Sequence, residues 1–265
     1  ICWPIFYNGY NITRRDGYIL NTFNNEKLGR IERNSFRVSA LLKPADGLTN
    51  TTVFQYNDVD GTNTGASYVW SIYNSNCGTL NCASGFLNSY VAAQRANGPY
   101  TTNHPGGARH HGFDWQLTNT TALDIGDAQL KNIFGASKSR YNSVQPQLGA
   151  PFVTIATYNQ LTGQVGNTLN INSYSDELQL QGDAMGGKLR YIVGAYFQWQ
   201  TTDTIWPQTY FLAPPYPPTF GVCTAGGGCL TNAFRLKDNT SAVYGQATYE
   251  FAEGLRITAG LRYTW

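Results

Sequence analysis

The sequence predicts an all-β protein, an antiparallel transmembrane β-barrel, on three observations. Apolar and polar residues alternate along several runs of about ten residues, the pattern of a strand with one apolar and one polar face. Successive runs are joined by short turns at one end and by long links at the other. Aromatic residues gather at a common distance from the short turns. Together these features are typical of a barrel that crosses a membrane with strands.

The strand pattern is clearest at the end of the chain. From Leu255 to Trp265 the apolar side chains occupy nearly every second position, with Arg256 and Arg262 between them. Similar runs flank three other short turns, so the sequence predicts four antiparallel hairpins. A further strand near residues 3–13 brings the prediction to about nine strands. The four turns are "PADG" (44–47), "DIGD" (124–127), "GDAMGG" (182–187) and "AEG" (252–254).

The links between the hairpins are much longer than the turns within them. They cover approximately residues 60–110, 141–172 and 201–238 and are rich in Gly, Asn, Ser, Thr and Pro. Helical periodicity is not evident in them, so we expect loops without regular secondary structure. Such long loops are rare in compact soluble domains, whereas outer-membrane barrels combine short periplasmic turns with long extracellular loops.

The aromatic residues predict the height of the apolar band. Seven of them lie roughly seven to twelve residues from a short turn, the length that a tilted strand needs to cross this band. We expect them to form an interfacial girdle that faces lipid. They are Phe36, Tyr56, Trp115, Phe197, Trp199, Tyr263 and Trp265. A soluble β-sandwich could use the same residues in its core, but it would not explain their common distance from the turns.

Charged residues alternate with the apolar ones on the same strands. We expect five of them to face a polar lumen: Arg37, Lys188, Arg190, Arg256 and Arg262. In a polar barrel interior such cations pair with carboxylates such as Glu177 and Glu250. The alternative is that they contact a plug or an anionic ligand.

The composition excludes several classes of protein. Charged residues make up 13%, aromatics 14% and the net charge is +2, without a basic stripe of the kind that binds nucleic acid. The high aromatic content also argues against a disordered chain. We find neither an apolar run long enough for a transmembrane helix nor the pattern of a signal peptide.

Four of the five cysteines form two close pairs in Gly- and Asn-rich segments. Cys77 and Cys82 lie in "NSNCGTLNCAS", and Cys223 and Cys229 lie in "GVCTAGGGCLT". These spacings are not those of a zinc ribbon, and histidines are not nearby. We therefore predict two short loop disulfides in an oxidising compartment, with four free thiols as the alternative. Cys2 has no evident partner.

The sequence carries no convincing catalytic, cofactor or metal site. All three histidines fall in "NHPGGARHHGF", as His104, His110 and His111, but cysteines or carboxylates at ligand spacing are missing there. A surface metal or haem site is the alternative to an ordinary polar loop. A nucleophile elbow of the G-x-S-x-G type is also missing, which argues against a hydrolase.

Five phrases resemble TonB-dependent outer-membrane receptors, most closely those for iron complexes. They occur in the family's order and are "RRDGYILN" (14–21), "SFRVSALLKPADGLTN" (35–50), "LTNTTALDIGDAQLKNIFGASKSR" (117–140), "SDELQLQGDAMGGKLRYIVGAYF" (175–197) and "SAVYGQATYEFAEGLRITAGLRYTW" (241–265). The resemblance covers nearly every predicted strand and leaves the long links unmatched. It implies that residues 1–265 are the middle part of a 22-stranded barrel domain, with the plug domain and the remaining strands absent.

The resemblance also implies a function. A receptor of this family lies in the outer membrane of a Gram-negative bacterium and takes up a scarce nutrient, here a ferric siderophore or another iron complex. Its partners would be outer-membrane lipid, the small-molecule ligand and the TonB complex, which acts through a plug not present in this chain. Catalysis and a resident cofactor are not expected. The alternatives are a standalone porin-like barrel and a surface adhesin or binding module.

Overall fold

The computed structural model describes residues 4–62, 88–104, 108–144, 149, 151, 155–159, 163–210 and 229–265. These residues form fifteen strands and one helix, α1 (Asn88–Asn97). The strands are β1 (Ile5–Arg15), β2 (Ile19–Asn21), β3 (Glu26–Leu28), β4 (Ile31–Ala45), β5 (Leu48–Gly61), β6 (Thr101–Thr102), β7 (Arg109–Ile125), β8 (Ala128–Val144), β9 (Ile155–Ala156), β10 (Tyr158–Asn159), β11 (Gln164–Val165), β12 (Asn167–Ala184), β13 (Leu189–Tyr210), β14 (Cys229–Ala252) and β15 (Leu255–Thr264).

Nine long strands form one antiparallel sheet, which confirms the predicted fold class. Their order in space is their order along the chain: β1, β4, β5, β7, β8, β12, β13, β14 and β15. Each long strand therefore pairs with its neighbours in sequence, as in a meander. Within the described ranges, β1 and β15 each pair on one side only, so this sheet does not close on itself.

The four predicted hairpin turns are confirmed and are short. Each of them places a glycine in the left-handed region, for example with φ of 72° at Gly47 and 78° at Gly254, where a side chain would be strained. Lys188, expected on the lumen wall, instead lies in the turn between β12 and β13. The strand resumes only at Leu189, so this lysine belongs to the turn end of the sheet.

The prediction of loops without regular structure is wrong in part. β13 and β14 extend far into the predicted link 201–238, and their register continues from Thr201–Lys237 to Thr209–Cys229. The residues of this extension no longer follow the two faces, because Phe234 and Leu236 take positions of the polar face whereas Arg235 takes one of the apolar face. The alternation of the rest of the sheet is therefore not continued, although the backbone hydrogen bonds are. Pro207 fits because β12 pairs with β13 only as far as Ile205, and a proline is tolerated at a strand edge.

The links before β4 and β7 also contain regular structure that the sequence pattern missed. β2 pairs with β3 and, in parallel, with β6, while α1 precedes β6. Ile19, Leu28 and Ala108 form a small buried cluster beside this three-stranded sheet. None of the helical structure in the described ranges has the length and apolarity that a transmembrane helix needs.

The nine-stranded sheet has two chemically different faces. Cross-strand partners share a face, so the register connects the Phe36, Tyr56 and Trp115 side into one surface, which we call the apolar face. Its large side chains are exposed, for example Leu261 at 82%. The opposite surface, which we call the polar face, carries Arg37 and Asp114 among mostly polar residues. Exposed apolar surface of this extent marks a membrane or protein contact.

Candidate functional site

The polar face holds a cleft with a volume of about 820 Å³ near the long-link ends of six strands, from β4 to β13. Nearly all of its lining residues occupy the alternate strand positions that belong to the polar face. The sheet therefore curves around this side. Its main polar residues are Arg33, Asn57, His110, Asp114, Tyr141 and Asn167. The continuous register of the long strands brings these distant residues together.

Asp114 is one of the residues that line the cleft. Its Oδ2 accepts a hydrogen bond from Asn57 Nδ2 at 2.7 Å, and its Oδ1 accepts one from Tyr141 Oη at 2.7 Å. A Cβ at Gly112 would lie 2.4 Å from Tyr141 Cδ1, so the glycine makes room for the ring that reaches Asp114. Both carboxylate oxygens are therefore held by neutral donors, which fixes the orientation of the carboxylate.

Two other polar atoms of the cleft have no such partner. His110 stacks on Tyr141 with ring centroids 5.5 Å apart and an interplanar angle of 13°. His110 Nδ1 and Asn167 Oδ1 are buried, and neither has a hydrogen-bond partner among the described residues. Buried polar groups are normally hydrogen-bonded, so this wall is suited to a polar ligand or to ordered water.

A second polar cluster lies on the same face between β12 and β15. Arg262 lies over the rings of Tyr196 and Tyr244, 5.6 and 5.8 Å from their centroids. The Tyr244 hydroxyl donates to Glu177 Oε1, which also accepts from Gln179 Nε2 at 2.9 Å. Tyr244 thus connects the cation at one side of this cluster with the carboxylate at the other.

The other predicted lumen cations lie in different surroundings. Arg190 pairs with Asp183 at 3.3 Å and Arg256 with Glu250 at 2.9 Å, both close to short turns. Arg37 lies on the polar face opposite Gly9 and Gln55. Glu250 is thus the partner of one predicted cation, whereas Glu177 is held by the hydroxyl of Tyr244.

The register puts all seven predicted girdle residues on the apolar face. They lie about ten residues from the adjoining short turn. About ten residues of a tilted strand span the apolar band of a barrel, so these aromatic residues lie near the far edge of that band. Tyr174, which the sequence reading did not select, lies at the same height, and its ring is 5.7 Å from that of Trp199. Tyr174 precedes Leu178 by four residues, an even spacing that puts both on one face of a strand, and this could have identified it from the sequence.

Of the main polar residues of the cleft, only His110 was a candidate from the sequence. Asp114 alternates with Phe113 and Trp115, so its place on the polar face could be read from the pattern. Its partners Asn57 and Tyr141 come from two other strands, and only the register identifies them.

The histidines do not form a common site. Asn21 holds the backbone of His104, with Nδ2 2.9 Å from the carbonyl oxygen and Oδ1 3.1 Å from the amide. His110 and His111 are adjacent on β7 and therefore belong to opposite faces. Within the described ranges, three or more His, Cys, Asp or Glu side chains do not converge as a metal-ligand set.

The predicted disulfides fall mostly outside the described residues. Cys77, Cys82 and Cys223 lie there, so their pairing stays a prediction. Cys229 begins β14, and its Sγ lies 3.4 Å from Thr209 Oγ1 on the neighbouring strand.

Comparison with known proteins identifies similar folds. The profile of the family described as "TonB dependent receptor-like, beta-barrel" matches residues 35–265. Among solved structures, the ferric yersiniabactin uptake receptor FyuA from Yersinia pestis has 14% identity and a TM-score of 0.66, covering 98% of this chain and 34% of that one. The ferric citrate transporter FecA has 11% identity and a TM-score of 0.57, covering 98% and 32%.

A third solved structure has a similar fold. The RagAB peptide transporter has 10% identity and a TM-score of 0.57, covering 98% of this chain and 30% of that one. At these identities the likeness shows the fold alone. The chain spans about a third of the length of these structures. A sequence comparison with curated proteins finds no match.

Proposed function

The chain belongs to the TonB-dependent receptor β-barrel family, and on that premise we propose that it forms part of an importer for a ferric siderophore or another iron complex. Members of this family are transporters of the Gram-negative outer membrane and are not enzymes. In the whole receptor, TonB would supply the energy by acting on a plug domain, and residues 1–265 would be the middle of the barrel wall.

The observation that carries the ligand class is the polar cleft. His110 and Asn167 line it beside Asp114 and Arg33, and the buried Nδ1 and Oδ1 of the first two have no hydrogen-bond partner among the described residues. An iron chelate presents oxygen acceptors and hydroxyl or amide donors, which match such groups. The cleft lies toward the long links, where a ligand would arrive from outside the cell.

The two faces of the sheet support an orientation in the membrane. The apolar face would meet lipid and the polar face the lumen, because polar side chains are costly in hydrocarbon. The short turns would then be periplasmic and the long links extracellular. The oxidising side of the membrane also suits the proposed disulfides Cys77–Cys82 and Cys223–Cys229.

Uptake by the whole receptor tests the proposal. Cells that express it would be given ⁵⁵Fe as citrate, catecholate or hydroxamate chelates, in strains with and without TonB. We expect one chelate class to accumulate only in the TonB-containing strain. Accumulation of every chelate in both strains would indicate a porin-like barrel and contradict the proposal.

Variants in the cleft then test whether its residues bind the chelate that is taken up. We expect His110→Ala and Asp114→Asn to raise the concentration of chelate that gives half-maximal uptake. Thr248→Ala is the matched control, because Thr248 lies on the same face but close to a short turn. An unchanged concentration in both cleft variants would show that the ligand binds elsewhere.

A further inference from the structure

Four side chains with N–H donors form a square on the apolar face, which we call the donor patch. It consists of Lys138 and Arg140 on β8 and Asn172 and Asn170 on β12. The register pairs Lys138 with Asn172 and Arg140 with Asn170. Directly opposed side chains on antiparallel strands have Cβ atoms about 5 Å apart, so the four donors lie close to one another.

The donor patch lies at the outer edge of the aromatic girdle. Trp115 is the cross-strand partner of Lys138, and Phe113 is the partner of Arg140. Lys138 is therefore level with a girdle residue, and Arg140 is one step farther from the short turn. Girdle aromatics lie at the height of lipid headgroups, so the patch lies at that height on the extracellular side.

The two cations of the patch are available to an outside anion. None of the ion pairs among the described residues involves Lys138 or Arg140. Asp203 is the cross-strand neighbour of Asn170, but Arg235 holds both of its oxygens, at 2.5 and 3.1 Å. Asp58, on the same face, lies beyond Phe113 on β5 and is therefore not directly opposite either cation.

We propose that the donor patch binds a phosphate group of a phosphorylated glycolipid in the outer leaflet of the outer membrane. Lys and Arg next to a membrane surface attract anionic headgroups, and an arginine fork matches phosphate oxygens. The two asparagine amides add neutral donors. Phe113 and Trp115 lie next to the two cations, on β7 and on the same face. The proposal rests on the proposed orientation of the barrel but not on its cargo or on TonB.

Binding of diphosphoryl lipid A to the purified whole receptor tests the proposal, with native mass spectrometry as the readout. We expect Lys138→Gln/Arg140→Gln to weaken binding at least about tenfold, because it removes both cations that face the phosphate. Lys138→Arg/Arg140→Lys should retain most of the binding, since it keeps both charges. Dephosphorylated lipid A should bind equally weakly to all variants.

A matched double variant separates this site from general electrostatics. Arg37→Gln/Lys131→Gln removes the same charge from the polar face, away from the donor patch. We expect it to bind as the unmodified receptor does. An equal loss in both double variants, or no loss in the patch variant, would overturn the proposal, as would displacement of the lipid by millimolar inorganic phosphate.

Folding is checked on the same samples. Heat-modifiable migration on a gel shows whether each barrel is intact, and the single variant Arg140→Gln, at an exposed position, serves if the double variant fails to fold. Unchanged lipid binding by Arg140→Gln would count against the proposal. Because chelate uptake is measured separately, loss of the proposed function would leave this result unaffected.

Discussion

The ring of Tyr244 lies across Gly194 on the neighbouring strand. The two residues are cross-strand partners on the polar face, and a Cβ at Gly194 would lie 2.5 Å from both Cζ and Oη of the tyrosine. The absence of a side chain at Gly194 therefore lets Tyr244 reach Glu177 and lie beneath Arg262. An aromatic ring over a glycine is a known means of pinning strand register.

This contact predicts the effect of adding one methyl group. Gly194→Ala should destabilise the barrel by about 1–3 kcal/mol, because the ring must move and loses its contacts with Glu177 and Arg262. Gly245→Ala is the matched control, since its Cβ would meet Val193 Cγ1 at an ordinary 3.5 Å. Denaturant titration of the receptor refolded into detergent measures both, and equal stabilities would contradict the prediction.

Adjacent residues on β13 test which side faces lipid. Val193 lies on the apolar face, 47% exposed, and about five residues from the turn, which is near the middle of an apolar band of about 25 Å. Val193→Arg should therefore cost about 2–4 kcal/mol in lipid. Ile192→Arg should cost less, because one step along a strand reverses the face.

The measurement is unfolding in lipid vesicles, in which the two arginine variants act as controls for each other. Equal penalties would mean that the two faces meet the same solvent, and the barrel orientation proposed above would be wrong.

Four polar residues on the apolar face form a closed hydrogen-bond network. Asn50 and Thr52 on β5 oppose Thr121 and Asn119 on β7, and six hydrogen bonds of 2.7–3.2 Å use every side-chain donor hydrogen. Polar side chains are costly next to hydrocarbon unless they are hydrogen-bonded, so this closure explains how they are tolerated there.

The network predicts non-additive mutations. Asn119→Ala should destabilise by about 1–3 kcal/mol, because Asn50 and both threonines lose partners. Asn50→Val/Asn119→Val should cost less than the sum of its two single changes, since no amide is left unpaired. A double-mutant cycle in denaturant measures this coupling, and strictly additive costs would show that the network does not act as a unit.

Non-reducing peptide mapping tests the proposed disulfides. We expect linked peptides for Cys77–Cys82 and Cys223–Cys229, because short loops in an oxidising compartment favour closure within the loop. Replacing either pair by serine should alter the loop and leave barrel stability nearly unchanged, since the closed loops are short. Alkylation of all four thiols without prior reduction would exclude these bonds.

The sequence by itself determined the strands, the hairpins and the two faces. A period of two residues requires no knowledge of neighbours, so runs such as Leu255–Trp265 reveal their faces directly. Turn positions were equally accessible, because only certain residues, Gly47 and Gly254 among them, suit the turn backbone. Conversely, the extension of β13 and β14 was hidden because its apolar residues, Phe234 and Leu236 among them, lie on the polar face and break the pattern of the preceding strand, although the backbone hydrogen bonds continue.

Only the tertiary structure decided which residues meet across strands. Asp114 could be assigned to the polar face from sequence, but its donors Asn57 and Tyr141 lie on two other strands and were brought to it by the register. The same holds for Tyr244 on Gly194 and for the donor patch around Lys138. Faces follow from local periodicity, whereas partners depend on the alignment of strands that are far apart in the chain, and that alignment is set by the turns and by the packing of both faces.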